Sequence, residues 1–134
     1  MKIVVDSNRI IASLIKKGTT RSLLLNKKFD FVAPSYIFTE INKYKKHIIS
    51  KTRINEEEFE FLLSVIFENI KIIPYSDYGP LLDKLKKEIT DIKDVPYLAV
   101  TIFTKAKGIW THDVGFKEQN KIKVFTNIDL LKLL

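Results

Sequence analysis

The chain has 134 residues, 46% hydrophobic and 29% charged, with no cysteine, two histidines and a formal charge of +7. That is the length of one domain able to bury about two-thirds of its unfolded surface, and the composition is globular rather than disordered. It excludes a disulfide framework and a thiolate metal site, and the two distant histidines argue against a His-rich zinc centre, so any metal here is expected to be held by oxygen. The charge points to a polyanionic partner, nucleic acid before an acidic membrane surface. No apolar run reaches 18 residues and Asp6 interrupts the first one. Neither a membrane span nor a signal peptide is expected, and the expected location is cytoplasmic.

In chain order, Lys2–Val5 reads as a strand and runs straight into Asp6. Ile10, Ile11, Leu14 and Ile15 form a helical stripe stopped by Gly18, and Thr20 opens a short helix through Leu23–Leu25. A second strand covers Phe29–Ala33. After Pro34-Ser35, Ile37, Ile41, Tyr44 and Ile48 follow at helical spacing. Asn55-Glu56-Glu57-Glu58 is a capping-box start for a helix carrying Phe59, Leu62, Leu63, Ile66 and Phe67. A third strand spans Ile70–Ile73. Pro80 begins a helix through Leu82, Leu85 and Ile89, and Pro96 begins another carrying Leu98, Ala99, Ile102 and Phe103. Strands over Gly108–Thr111 and Ile122–Phe125 and a closing helix over Ile128–Leu134 complete the chain, with Leu133-Leu134 expected at a buried edge. There is no repeat, low-complexity tract or Gly/Ser linker. The strands are near-continuous apolar runs, as expected when both faces are covered. Alternating strands and helices therefore predict an α/β protein, a three-layer α/β/α sandwich on a parallel sheet.

In such a fold the functional crevice lies at the carboxyl ends of the strands. Asp6 directly follows the first strand and Asp113 the fourth, in GIWTHD. Asp94 begins the helix that runs back to the fourth strand, at the same rim. Glu40 lies in the second turn of the helix after strand two, about 60–70° off the centre of its apolar stripe and so at the rim of the core. Each acid has a cheaper role. Asp6, Asp94 and Asp113 all stand where an aspartate caps a helix for about 1 kcal/mol, and Glu40 could be a solvated residue. Caps, however, have no reason to gather with a glutamate on one rim. Gathered carboxylates raise one another's pKa or hold a cation, and an all-oxygen set suits one or two Mg²⁺ or Mn²⁺ ions.

The stretches VVDSN, PSYIFTEI, DVPYLAVTI and IWTHDVGF, in this order, resemble the PIN domain, including the VapC-like toxins of toxin–antitoxin pairs. The resemblance covers essentially the whole chain, as one PIN-like domain over 1–134. It implies a five-stranded sheet in the order 3-2-1-4-5. It maps the family's acidic quartet, catalytic and metal-binding, onto Asp6, Glu40, Asp94 and Asp113. Its small polar partner after strand four maps onto Thr111, and the polar residue after the first acid onto Ser7 or Asn8. Of the two acids in TDIKDVPY, only Asp94 falls where the family's third acid stands; Asp91 reads as a helix N-cap or a supporting acid. The implied activity is a metal-dependent endoribonuclease acting on single-stranded RNA. The implied partners are an antitoxin protein and a second copy of the chain.

The densest basic run, Lys43, Lys45 and Lys46 with Lys51 and Arg53 beyond, is either a solvated helix face or a track for phosphates leading to the acids. Trp110 is expected in the core rather than as a base-stacking platform, and His112 is not assigned a catalytic role. Apolar residues at Ile10–Leu14 and Leu23–Leu25 serve either the core or a dimer face. Three rival classes fail. A receiver domain wants an acidic pair after strand one and a lysine after strand five. A haloacid-dehalogenase phosphatase wants DxD where DSN stands. A dinucleotide fold wants a glycine-rich first turn, and the nearest glycine is Gly18. The remaining rival is a PIN-like module that binds RNA or protein without cutting, against which the complete quartet argues.

Overall fold

The computed structural model describes residues 1–119 and 121–134. The five apolar runs become strands β1 (Lys2–Val5), β2 (Asp30–Pro34), β3 (Ile70–Ile73), β4 (Gly108–Trp110) and β5 (Lys123–Phe125). All pairs are parallel and the order is β3-β2-β1-β4-β5, as the resemblance implies. Strand ends differ from expectation by one residue or so, because pairing and not apolar character sets them. Pro34 is still paired with Ile73, whereas Thr111 stands just beyond the last β4 pair, Trp110 with Phe125.

The helices are α1 (Ser7–Ile15), α2 (Thr19–Leu24), α3 (Tyr36–Thr52), α4 (Glu56–Phe67), α5 (Tyr75–Tyr78), α6 (Leu82–Leu85), α7 (Val95–Thr104) and α8 (Asn127–Lys132). The steps β1→β2→β3 move one way along the sheet and β3→β4→β5 the other. Right-handed crossovers therefore put α1–α4 on one face and α7 on the opposite one. Helix α7 packs across β1, β2 and β4, while α1 packs on α2, α3 and α4. The capping box at Asn55 forms as expected, with Glu58 N–H donating to Asn55 Oδ1 at 2.7 Å and Asn55 N–H to Glu58 Oε1 at 3.2 Å.

Three local expectations are corrected. The helix predicted from Pro80 to Ile89 is reduced to the end of a 3-10 turn over Gly79–Leu81 and the short α6, with the unpredicted α5 just before them. Pro80 lacks the N–H that would continue the ladder of α5; Ile89 is buried but outside any helix. Tyr44, expected in the buried stripe of α3, is 49% exposed, whereas Ile37, Ile41 and Ile48 are buried. Tyr44 falls on the edge of that stripe nearest Glu40, where α3 borders an open cleft. At the C-terminus Leu133 is half-buried and Leu134 is exposed, and Leu130 of α8 is the residue fully buried there.

The sheet's two-sided burial is complete at its centre. Ile3, Val4, Val5, Ala33, Ile109 and Trp110 have no more than 0% exposure. Trp110 is a core residue, stacked on Phe31 at 5.4 Å between ring centroids. Ile10, Leu14, Leu23 and Leu24 are buried within the chain itself, leaving Leu25 exposed. Among the described residues no helix is long and apolar enough to cross a membrane.

Candidate metal centre

The strand order reverses between β1 and β4, which is where an open parallel sheet splays its carboxyl ends into a crevice. Val5 pairs with Trp110. One step beyond that pair, Asp6 and Thr111 come out side by side, and Asp113 follows two residues later. A cleft of about 480 Å³ opens here, lined by Asp6, Ser7, Asn8, Glu40, Asp91, Asp94 and Asp113. Ile11, Ala12 and Ile15 of α1, Tyr44 and His47 of α3, and Lys93 complete its walls. The four acids expected at one rim are thus brought to one cleft. Thr111 is buried beneath them, and His112 is exposed and not part of the lining.

Asp6 occupies the N-cap position of α1, yet its side chain makes no cap hydrogen bond. Its Oδ2 instead accepts from Thr111 Oγ1 at 2.7 Å and from Asn8 Nδ2 at 3.1 Å. Thr111 Oγ1 in turn accepts from Asn8 Nδ2 at 3.1 Å and from the Asp113 N–H at 2.9 Å. With both acceptor positions of that hydroxyl filled, its proton has to go to Asp6, which fixes the direction of the bond. Asp6 Oδ1 makes a long contact with Ser7 Oγ at 3.5 Å, and the residue lines the cleft. Both supporting polar residues, Asn8 and Thr111, therefore hold the first acid directly, and Ser7 does so weakly. Burial pushes the Asp6 carboxyl up to about 6, the Thr111 hydrogen bond opposing and the Glu40 charge adding to the rise.

Asp94 is also at an N-cap position without a side-chain cap bond. An N-cap aspartate normally accepts from the N–H of the second or third helical residue. In α7 the second is Pro96, which has none to give. Asp94 Oδ2 is buried and among the described residues has no hydrogen-bond partner, an expensive condition for a charged oxygen. Burial and then the charges of Asp113, Asp6, Asp91 and Glu40 push its carboxyl up to about 8. Glu40 is raised as well, first by burial, with opposition from the Tyr97 hydroxyl, which donates to Glu40 Oε1.

Asp113 is different. Its Oδ1 accepts from the Gly115 N–H at 2.8 Å, capping the 3-10 turn Val114–Glu118, so for this acid the cap role and the cleft position coexist. A Cβ on Gly115 would stand 3.2 Å from Asp113 Oδ1 and 3.5 Å from Asp94 Oδ2. A side chain there would crowd Asp113 Oδ1 and touch Asp94 Oδ2. Asp91 caps the 3-10 turn Ile92–Asp94, accepting from the Lys93 N–H at 3.0 Å, as read from the sequence, and lines the cleft as well.

These donors fit a divalent cation. They are all oxygens, one is buried and unpaired among the described residues, and three of the four carboxyls are raised first by burial, with neighbouring carboxylates adding to the rise at Asp6 and Asp94. Among the described residues no three acidic or histidine side chains close on one point as a ready-made cage. Mg²⁺ does not need one, since it keeps several waters and uses one or two carboxylates directly.

Sequence reasoning missed Tyr97, Tyr44 and His47. Tyr97 stands three residues after Asp94, one helical turn on the same face; Tyr44 and His47 stand four and seven after Glu40. Spacing from an already assigned acid was the available signal. The basic run needs one correction. Lys45 is turned to α4, where Nζ meets Glu56 at 2.7 Å and Glu60 at 2.8 Å and sits over Phe59. Its charge is answered locally and does not face the cleft. Lys43, Lys46, Lys51 and Arg53 are exposed.

The family model for the PIN domain matches residues 4–123. No curated protein matches the chain.

Proposed function

The chain belongs to the PIN domain family, a nuclease-type fold whose enzymes typically use divalent metals, and from that premise we propose that it is an endoribonuclease cleaving single-stranded RNA. The observation that carries the reading is the buried, unpaired Asp94 Oδ2 among three further carboxylates. A cluster of this kind in a chain of net charge +7 suits a cation at its centre and a polyanion across its mouth.

Asp6, Glu40, Asp94 and Asp113 would hold one or two Mg²⁺ or Mn²⁺ ions. A metal held there would supply charge neutralisation for a phosphodiester and a lowered pKa for a water. The protein's own part is positioning. Asn8 and Thr111 hold Asp6 by Oδ2, and Tyr97 orients Glu40. Lys93 on the cleft wall and the exposed Lys43, Lys46, Lys51 and Arg53 draw in the phosphates. Tyr44, half exposed opposite Ile11 and Ile15 in the lining, offers a face on which an unpaired base can stack. The likeness to VapC-like toxins supports the further reading that an antitoxin protein covers this cleft and that the chain pairs with a second copy.

The test is cleavage of a mixed-sequence single-stranded RNA with Mn²⁺ or Mg²⁺, with EDTA and with Asp94→Asn as parallel arms. Cutting that requires metal and disappears in the variant supports the proposal. RNA binding without cutting, equal in wild type and variant, overturns it and leaves a non-catalytic RNA-binding module.

A further inference from the structure

Behind the carboxylates lies a second polar cluster that the reaction does not touch. Arg9 is only 9% exposed, and among the described residues no carboxylate pairs with it. Its Nε donates to Asn8 Oδ1 at 3.0 Å, and its Nη1 reaches Asn127 Oδ1 at 3.4 Å and Thr20 Oγ1 at 3.5 Å. Asn127, the first residue of α8, is itself pinned. Its Oδ1 accepts from Trp110 Nε1 at 2.9 Å and its Nδ2 donates to Thr20 Oγ1 at 3.0 Å.

The donors settle which way both amides face. Arginine, the indole N–H and a backbone N–H can only donate. Asn8 receives two such donors on Oδ1, from Arg9 Nε and from the His112 N–H at 3.3 Å. Its NH₂ must therefore face Asp6 Oδ2 and Thr111 Oγ1. All the hydrogen-bonding capacity of the Asn8 side chain is then used, with Arg9 on one side and the first acid on the other. Asn127 lies beyond residue 123, where the family match ends, so this support belongs to the chain's own C-terminal helix.

We propose that Arg9 is a positioning residue for the metal centre: held by Asn127 of α8 and Thr20 of α2, it locks the Asn8 amide, which keeps Asp6 Oδ2 engaged. The proposal rests on the metal-site reading above. It makes α2 and α8 part of the site, although neither supplies a residue to the cleft's acids. A buried guanidinium is costly where it has only neutral acceptors, and a purely structural contact between these helices would be met more cheaply by apolar side chains.

The experiment is Mn²⁺ binding by calorimetry to the RNA-free protein, followed by steady-state cleavage, for wild type, Arg9→Met, Arg9→Lys, Asn127→Ala, Asn8→Ala and the Asn8→Ala/Arg9→Met double variant. Arg9→Met should weaken Mn²⁺ binding about tenfold or more, the scale of a lost outer-sphere partner, and lower kcat with KM for RNA unchanged. Arg9→Lys should recover only part of this, because one ammonium cannot reproduce the guanidinium's fixed fork toward Asn8 and Asn127. Asn127→Ala should move Mn²⁺ affinity the same way by a smaller factor. In the Asn8→Ala background, Arg9→Met should add less than about twofold, since the route through Asn8 is already cut. Wild-type Mn²⁺ affinity in Arg9→Met and Asn127→Ala, or full multiplication of the Arg9 and Asn8 effects, overturns the positioning role while leaving the nuclease reading intact. A folded wild type that binds no Mn²⁺ overturns both. Should Arg9→Met fail to fold, Asn127→Ala carries the same comparison.

Discussion

The two walls of the cleft hold their acids in opposite ways. On the β1/β4 side, Asp6 Oδ2 is met by two donors, and each donor is anchored again behind it. On the α7 side, Asp94 Oδ2 is buried with no donor among the described residues. The first wall is fixed before anything binds; the second carries an uncompensated oxygen that only a proton or a cation relieves. Hydrogen bonds orient one carboxylate, while the other is left buried and without a donor among the described residues, the condition that the proposed metal would relieve.

Substitution with asparagine at both positions is the strongest way to break this contrast. Either Asp6→Asn or Asp94→Asn should lower metal-dependent cleavage about a thousandfold, equivalent to about 4 kcal/mol of lost charge stabilisation. Their stabilities in EDTA should diverge. Asp94→Asn removes a confined charge and offers an N–H to the neighbouring carboxylates, and should raise Tm by several degrees, about 1–3 kcal/mol. Asp6→Asn also relieves a desolvated carboxyl but gives up two charge-assisted hydrogen bonds, and should raise Tm by clearly less than Asp94→Asn does. Thermal unfolding of the two variants side by side reads the difference, and a drop in Tm for Asp94→Asn would remove the case for strain at that wall.

The same contrast has a pH signature. Asp6 and Asp94 have folded values of about 6 and about 8, above the ordinary 3.8. The folded chain therefore keeps protons that the unfolded chain has already released. Stability from these groups is full below about pH 4 and is lost as pH rises, Asp6 reaching its limit near 6 and Asp94 near 8. The slope is up to about 1.4 kcal/mol per pH unit for each group while it titrates. Metal displaces those protons, so the increase in Tm caused by Mg²⁺ or Mn²⁺ should grow from pH 6 to pH 8. Unfolding curves with and without metal at both pH values check this; a metal effect that shrinks with pH would contradict the assignment.

Thr111→Val sharpens the fixed wall without touching a ligand. It removes the donor to Asp6 Oδ2 and the acceptor for Asn8 and the Asp113 N–H. Leaving buried donors unpaired should cost about 1–3 kcal/mol. Because that hydroxyl is the largest influence holding the Asp6 carboxyl down, the Asp6 value should rise further and metal binding should shift to higher pH, as titration of Mn²⁺ affinity would show.

The fold was legible because two-sided burial writes strands as continuous apolar runs, and the acids were legible where they stand directly after such runs, as in VVDSN and IWTHD. Asp94 was legible only as one of three look-alike caps. Pro96 at the second helical position removes one of the two N–H groups that Asp94 could cap, a local fact visible in DVPY once the donors are counted. What leaves no local trace is the support. The contacts of Asn8 with Thr111 and of Arg9 with Asn127 join residues more than 100 apart in the chain, and no spacing rule anticipates them. The direction of Lys45 belongs here too, decided by Glu56 and Glu60 of α4 rather than by pattern.

Lys45 supplies the finest comparison, between two kinds of cation on one helix. Lys43, Lys46 and Lys51 are exposed on α3, whereas Lys45 is held by Glu56 and Glu60 of α4. A lysine that neutralises a phosphate contributes about 0.7 to the slope of log K against log salt for a single strand; one already neutralised by carboxylates contributes nothing. Alanine at Lys43, Lys46 or Lys51 should therefore flatten the salt dependence of RNA binding by about that amount each. Alanine at Lys45 should leave the slope essentially unchanged. Filter binding of a single-stranded RNA in EDTA across a salt series separates the two. A flattened slope for Lys45→Ala would mean that the lysine exchanges its glutamates for phosphate when RNA arrives, and that the basic track extends onto α4.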